Sequence, residues 1–540
     1  MKYPTPDAGR SQKYYAAGLW RSETIPQRMT ASIAALPEKL AVRDAAGCDL
    51  TYRELDAQSI RLAGFLRSHG VGAGDVVTVC QPNWSQTVVV FLAALKLGAV
   101  INPVPVTYGR AELSFVMEKC QSKALFIAGR FRSTDFSAAV AQMPDALTHG
   151  VAIVRLGDGA HTVGTRWEHA LAHVPLAQAH AGSADDPVAV LFTSGTESRA
   201  KGGVHTHNTI LFGEHALGGA LGIGANDVAF MASPIAHATG FLHGVVMTLT
   251  TGGTLSLLDV FEGAAAARQM RAHRCTWTMG ATPFLADTVG ALAASGANLP
   301  DLRYFLCGGA PVPEAPVRAA AALGIRVLSI YGATESPPHT IVHPEDPFEN
   351  SWISDGRPLE GIEARIVNAE GQSVPDGEVG EAWSRGPNTF VGYLDEPEMT
   401  RATLDAEGWV HSGDLARVLP DGSIRICGRL KEIIVRGGQN ISISEVENYL
   451  MSHPAVERVA VVGVPHERLG ETGCAVVVLK AGQTTTLEEL TRYLVDKGVA
   501  KFKLPEQLEI WAALPTTPSG KVQKFVIRQQ LTQASASIAA

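Results

Sequence analysis

The chain has 540 residues, 46% hydrophobic and 18% charged, with a formal net charge of -8. That length favours several domains or subdomains over one core, and the composition is ordinary for a soluble globular enzyme. The acidic balance excludes a nucleic-acid footprint, which needs a basic patch or stripe. Seven cysteines stand singly at positions 48, 80, 120, 275, 307, 427 and 474, and no Cys-x-x-Cys pair occurs. A disulfide framework and structural zinc are therefore not expected, and each thiol is read as a buried core residue in a reducing cytoplasm.

In chain order, the N-terminus runs into polar residues without the apolar core of a signal peptide. At 50–55 a strand ends and a helix opens, with Thr51 and Glu54 at capping-box spacing. Residues 75–79 form a short strand, 88–95 a buried helix ending near Gly98, and 99–103 another strand. The stretch 88–95 is the longest apolar run. Lys96 breaks it, and it is too short to span a bilayer. Strand and helix alternate past residue 300, with an alanine-rich helix at 315–322, which argues for α/β layering. After about residue 355 come short strands at 363–367, 379–384, 424–427 and 433–435. A compact α/β tail follows: helices at 444–450 and 487–497, and strands at 459–464, 474–479 and 506–511. The boundary falls at 429–431, where a turn follows a strand. This gives a large domain, 1–429, of two α/β layered subdomains plus a β-rich one, and a small α/β domain, 430–540.

Leu191-Phe192-Thr193-Ser194-Gly195-Thr196-Glu197-Ser198-Arg199-Ala200-Lys201-Gly202 is the strongest local signal. An apolar strand runs into small hydroxyl residues, a glycine and a lysine. Phosphate binding needs such residues, because backbone N–H groups must approach the oxygens and a cation must offset their charge. It is not a Walker loop. Alone, it reads equally as a surface turn. Four further stretches change that balance: Tyr331-Gly332-Ala333-Thr334-Glu335 after a strand, Trp409-Val410-His411-Ser412-Gly413-Asp414 with its acid after a tight turn, Gly428-Arg429-Leu430-Lys431-Glu432 before the pair Gly437-Gly438, and Pro515-Thr516-Thr517-Pro518-Ser519-Gly520-Lys521. Singly, Lys521 is a solvated lysine and Glu335 or Asp414 a cap or turn residue.

Together and in this order the five stretches resemble the adenylate-forming superfamily of acyl-CoA synthetases, adenylation domains and luciferases, most of all short/medium-chain acyl and cyclohexanecarboxylate CoA ligases. The likeness covers nearly the whole chain. It implies ATP, Mg2+ and CoA as cofactors and a carboxylic acid as substrate. By that resemblance Thr193, Ser194, Gly195, Thr196, Glu197 and Lys201 hold the β- and γ-phosphates. Gly309, Ala310, Pro311, Tyr331 and Gly332 line the adenine pocket. Thr334 touches the α-phosphate, and Glu335, with Thr196, binds Mg2+. Asp414 accepts the ribose hydroxyls and Arg429 contacts the ribose. Lys521 bridges the acid's carboxylate and the α-phosphate, Lys431 is the hinge of a mobile small domain, and Gly437 and Gly438 admit the pantetheine arm. The physics agrees with these roles. A carboxylate attacking a phosphate joins two anions, and one cation at about 4 Å offsets on the order of 4 kcal/mol at an effective dielectric of roughly 20. A carboxylate also accepts both hydrogen bonds of a diol.

The phosphate loop departs from the superfamily's usual form. Glu197 replaces Thr or Ser, Ser198 replaces Gly, and Ala200 replaces Pro. Altered geometry or lower ATP affinity is expected, and the second glycine, Gly203, is expected to loosen the loop's exit. Residues 233–244 match the segment beneath the acyl pocket. There His237 either lines the pocket or is a satisfied core histidine, and Phe241, Ala281 and Gly308 supply walls. No Asp or Lys is placed to read an α-amino group, so the acid is expected to be fatty, alicyclic or aromatic. No appended carrier domain is seen, which favours free CoA. The rivals are a stand-alone acyl-AMP ligase that loads a carrier-protein thiol, and a degraded nucleotide- or acyl-CoA-binding protein. A cytoplasmic location follows from the same reading, with room for a homodimer.

Overall fold

Most residues of the two large sheets sit in short apolar strands joined by amphipathic or buried helices, as the alternation demands. The computed structural model describes residues 3–193, 200–310, 312–430, 433–436, 439–466, 469–497, 499–517 and 520–539. One sheet has nine strands. Its parallel centre runs Thr254–Leu257, Val228–Met231, Trp277–Gly280, Tyr304–Gly308 and Arg326–Ala333, and Ser336–Ile341 turns back antiparallel. A second sheet has eight strands, with Val76–Cys80, Val100–Pro103, Ala124–Ala128 and Ala152–Leu156 in parallel. Its other end carries Pro187–Thr193, Lys201–Thr206 and Gly392–Tyr393.

One apolar core welds the two sheets. Val77 and Phe126 of one share it with Met231, Leu255, Trp277 and Leu306 of the other. The helix Ser85–Lys96 lies inside that core, with every residue but Gln86 buried. A helix apolar all round belongs in such a place, and Lys96 is tolerated there because its ammonium pairs with Asp56. Ahead of it, Thr51 caps the helix Tyr52–Ser68: its hydroxyl accepts from the Glu54 amide at 3.2 Å, and the Glu54 carboxylate accepts from the Thr51 amide at 2.8 Å.

The β-rich part is a four-stranded antiparallel sheet: Glu363–Val367, Gly380–Arg385, Val410–Val418 and Ile424–Arg429. The tail forms its own five-stranded sheet, in which Gln507–Ile510 runs parallel to Gly470–Leu479. Its helix Ile443–Met451 and helix Leu487–Asp496 bury Val446, Leu450, Leu490 and Leu494. Two features differ from expectation or were not anticipated. Cys48 and Cys427 are half-buried, while the other five thiols are buried: Cys48 lies in the loop before Leu50–Thr51, and Cys427 lies in the edge strand Ile424–Arg429. Thr239–Met247 is a π-helix, which a 3.6-residue periodicity does not announce. Among the described residues, no helix is long and apolar enough to cross a membrane.

Candidate active site

The β-rich sheet delivers Asp414 to the end of the nine-stranded sheet. Asp414 and Arg429 are register partners on neighbouring strands. The Arg429 Nε donates to Asp414 Oδ1 at 2.8 Å, and the Tyr331 hydroxyl donates to Oδ2 at 2.7 Å. Asp414 is only 5% exposed, and a buried carboxylate persists when it is paired and hydrogen-bonded in this way. Burial, and next the Asp414 charge, push the Tyr331 hydroxyl well above the usual phenol range, so it remains a donor. The carboxylate offers about four acceptor positions, which leaves capacity for a diol. The expected tight turn before Asp414 is corrected: Asp414 lies within the strand Val410–Val418. Gly413 takes a positive φ of 70° there, and the pairing register shifts between Leu415 and Ala416, so the chain bulges instead of reversing.

Thr334 and Glu335 form the turn between Arg326–Ala333 and Ser336–Ile341. The Thr334 carbonyl accepts from Nε2 of His205 at 2.7 Å. His205 is fully buried, and burial lowers its pKa to about 4. A neutral ring with its proton on Nε2 therefore holds the turn from behind. The Glu335 carbonyl accepts from the Phe390 amide at 2.9 Å, and its Oε1 accepts from the Tyr393 hydroxyl. Above the Tyr393 ring, 5.5 Å from its centre, stands the Lys201 ammonium. Two stretches over 130 positions apart thus meet through one tyrosine that sequence reasoning did not single out.

Thr193 and Lys201 are paired across adjacent strands, so the two ends of the phosphate loop are held together. Ser194, Gly195, Thr196 and Glu197 lie outside the described residues, as do Ser198, Arg199, Pro311, Lys431, Gly437 and Gly438. The expectation that Gly203 loosens the loop's exit is overturned. Gly202 and Gly203 pair with Phe192 and Leu191 in regular register. A Cβ on Gly202 would lie 2.7 Å from Val190 Cγ1, so this strand needs a glycine for close packing.

Gly308, expected as an acyl-pocket wall, ends the strand Tyr304–Gly308. A Cβ there would meet the Ile330 carbonyl at 2.4 Å. Gly309 follows with φ 83°, and Gly309, Ala310 and Gly332 are exposed. Ala281 is the cap residue of the helix Thr282–Ser295. His237 keeps an exposed edge, yet atoms crowd around the ring. That crowding, then the charge of Lys521, then His243, lower its pKa. Its Nδ1 also accepts from the Thr239 amide at 3.3 Å, which favours the neutral ring. His237 is therefore neither a fully enclosed core histidine nor a cation at neutral pH. Phe241 is different: it is fully buried, edge-to-face with Phe91 at 5.0 Å. That places it in the core layer behind any pocket.

Lys521 is exposed on a small hairpin closed by Thr517. The Thr517 amide donates to the Lys521 carbonyl at 2.7 Å, and the Lys521 amide donates to the Thr517 hydroxyl at 3.1 Å. Gly520 allows the turn with φ 83°, and its Cβ position is 3.5 Å from Pro283 Cγ. The tail's lysine hairpin thus rests against residues 281–283, and the charge of Lys521 reaches His237. A buried pair, His243 Nδ1 with Glu214 Oε2 at 2.9 Å, ties the π-helix to the helix His207–Leu221. Only the tertiary structure brings these two residues together.

The arrangement gathers a buried carboxylate held by Tyr331 and Arg429, the Glu335 carboxylate and the Lys201 ammonium both set against Tyr393, and Lys521 on a hairpin against residues 281–283. The family model for AMP-binding enzymes matches residues 29–394, and that for the AMP-binding enzyme C-terminal domain matches residues 445–521. The chain belongs to the AMP-binding enzyme family. It is 40% identical over 526 residues to a medium-chain fatty-acid–CoA ligase of Escherichia coli K12, covering 97% of this chain and 93% of that one. A feruloyl-CoA synthase of Amycolatopsis is 32% identical, with 92% of this chain and 96% of that one covered. ATP-bound MatB from Rhodopseudomonas palustris superposes with a TM-score of 0.83 at 28% identity, covering 94% of this chain and 99% of that one. The α/β fold with a large N-terminal and a smaller C-terminal part stands as expected.

Proposed function

We propose that the protein is an AMP-forming carboxylate–CoA ligase: acid and ATP give an acyl-adenylate and pyrophosphate, then CoA gives the acyl-CoA and AMP. The acid is apolar, of the medium-chain fatty, alicyclic or aromatic kind. The observation that carries this reading is the joining of Tyr331, Asp414 and Arg429, far apart in sequence, around one buried carboxylate. Identity to a medium-chain ligase along almost the whole chain supports it.

In this reading the ribose hydroxyls donate to Asp414, which Arg429 holds in place by its hydrogen bond. Gly309, Ala310, Pro311, Tyr331 and Gly332 surround the adenine. Residues 193–201 and Thr334 bind the phosphates through hydroxyl and amide donors, and Lys201 adds a cation. Glu335 suits Mg2+, which takes hard oxygen donors and ordinarily uses one or two carboxylates plus substrate phosphates. Among the described residues, no group of three or more acidic, His or Cys side chains gathers to hold a metal ion. The metal, with Thr196 as second contact, would neutralise phosphate charge. Lys521 orients the acid's carboxylate toward the α-phosphorus and offsets the charge of the two anions as they meet. His237, Ala281 and Gly308 face the acyl group, with Phe241 behind them.

The domain boundary is read at 429/430, between the two matched families, with Lys431 as the hinge about which the small domain turns to let the pantetheine arm pass Gly437 and Gly438. A cytoplasmic location is part of the same reading, supported by cysteines that form no disulfide with one another. Homodimer formation is compatible with it and is read by light scattering.

The test is pyrophosphate release across a panel of fatty, alicyclic and aromatic acids, with and without CoA, followed by product analysis. Acid-dependent release and an acyl-CoA product are expected. Transfer to a holo-carrier protein but not to CoA would replace this reading with the carrier-loading one. Nucleotide binding without acid-dependent release would replace it with a binding protein.

A further inference from the structure

The Glu335 carboxylate does not stand alone. Its Oε1 accepts from the Tyr393 hydroxyl, 58 positions away. Tyr393 is only 4% exposed and is held along its length. Its amide donates to the Thr400 hydroxyl at 2.9 Å, and its ring packs edge-to-face on Phe390 at 4.9 Å. Gly392, just before it, has φ 138° and a Cβ position 2.8 Å from Thr400 Cγ2, so the chain presses closely onto the helix Pro397–Thr403. The other face of the ring lies under Lys201. Pairing of Gly203 with Tyr393 fixes that side in register.

From this geometry we propose that Tyr393 is a positioning residue for the Glu335 carboxylate and that it sets the carboxylate's aim toward the metal–ATP complex. This rests on the reading of Glu335 as the metal-binding carboxylate. The physical reason is directional. A donor on Oε1 fixes the carboxyl torsion and commits one oxygen, so the other is presented in one orientation. Without that donor the group samples several, and metal binding must supply the ordering. The same ring gives Lys201 an aromatic face, so the cation and the carboxylate that meet the same phosphates share one rigid support.

The test uses Mn2+ as a spectroscopically visible stand-in, titrated into the full-length protein with saturating ATP and no acid, and read by electron paramagnetic resonance. Tyr393→Phe keeps the ring beneath Lys201 and removes only the hydroxyl. Its Mn2+ half-saturation is expected to rise about 10- to 100-fold, the usual cost of losing a group that orients a metal ligand. KM for the acid and for CoA stays unchanged, and a thermal melt confirms that the variant folds. Glu335→Gln is the reference. Weakened Mn2+ binding there with unchanged binding in a folded Tyr393→Phe protein overturns the positioning role alone. Unchanged Mn2+ binding in Glu335→Gln overturns the metal reading of Glu335, and the positioning role with it.

Discussion

Asp414→Asn is the sharpest probe of the nucleotide reading. In the structure Asp414 takes one hydrogen bond from Tyr331 and one from Arg429, at 2.7 and 2.8 Å. Asparagine keeps a single acceptor oxygen and turns its amide donor toward one of those two donors. At least one charge-assisted bond is lost, together with the charge that a ribose diol would meet. Such bonds contribute about 1.5–3 kcal/mol each. The Arg429 side chain is 39% exposed, so solvent screening puts its share at the lower end. A loss of about 1.5–3 kcal/mol corresponds to roughly a 10- to 150-fold fall in kcat/KM for ATP, with KM for the acid little changed. The assay is pyrophosphate release at varied ATP, repeated with 3′-deoxy-ATP. The wild type should discriminate between the two nucleotides, and Asp414→Asn should lose most of that discrimination, a double-perturbation cycle that isolates the diol contact. If the variant retains kcat/KM for ATP within about twofold, or discriminates as well as the wild type, Asp414 does not read the ribose.

Lys521→Ala should abolish adenylation yet leave transfer of a supplied acyl-adenylate to CoA largely intact, and equal loss of both steps would contradict the role given to Lys521. Gly202→Ala drives a methyl into Val190 Cγ1 at 2.7 Å and Phe192 Cζ at 3.2 Å. Overpacking of that kind costs about 1–3 kcal/mol, seen as a lower thermal midpoint, and an unchanged midpoint would show that the strand yields more easily than its packing indicates. Burial lowers the His339 pKa from 6.5 to about 4, and neither ring nitrogen has a hydrogen-bond partner. Its neutral form is the native one, so its contribution to stability is fully present above the unfolded value and is lost as pH falls from 6.5 toward 4. Between about pH 7.5 and about pH 5.5 the loss is about 1.3 kcal/mol. His339→Phe should shrink the drop in urea-unfolding stability across that window by this amount. Any steric cost of the larger ring is the same at both pH values and cancels, so an identical drop in variant and wild type would refute the burial argument.

Several elements were legible in the sequence because their cause is local. The Thr51–Glu54 cap is two side chains and two amides within one turn. The helix Ser85–Lys96 shows its burial in an apolar run that no polar face interrupts. The strands Glu363–Val367 and Ile424–Arg429 follow from short runs rich in β-branched residues between turns. The site was legible only as separate motifs, because each motif is local chemistry and the distances between motifs are not. His205 behind Thr334 and Tyr393 on Glu335 escaped notice for that reason. A histidine in a buried strand and a tyrosine after a glycine carry no mark of the partner they will meet.

By itself, then, the sequence determined the order of elements, the α/β alternation and the residue types able to handle a nucleotide and a carboxylate. These follow from backbone propensity, hydrophobic periodicity and side-chain chemistry, all properties of short windows. Only the tertiary structure decided that Asp414 sits in a bulged strand beside Arg429, that Gly202 and Gly203 are packed strand residues, that Phe241 belongs to the core, and that Lys521 comes to rest beside His237. Those outcomes depend on sheet register and on which faces share a core. Both are set by contacts between residues tens to hundreds of positions apart, which no short window contains.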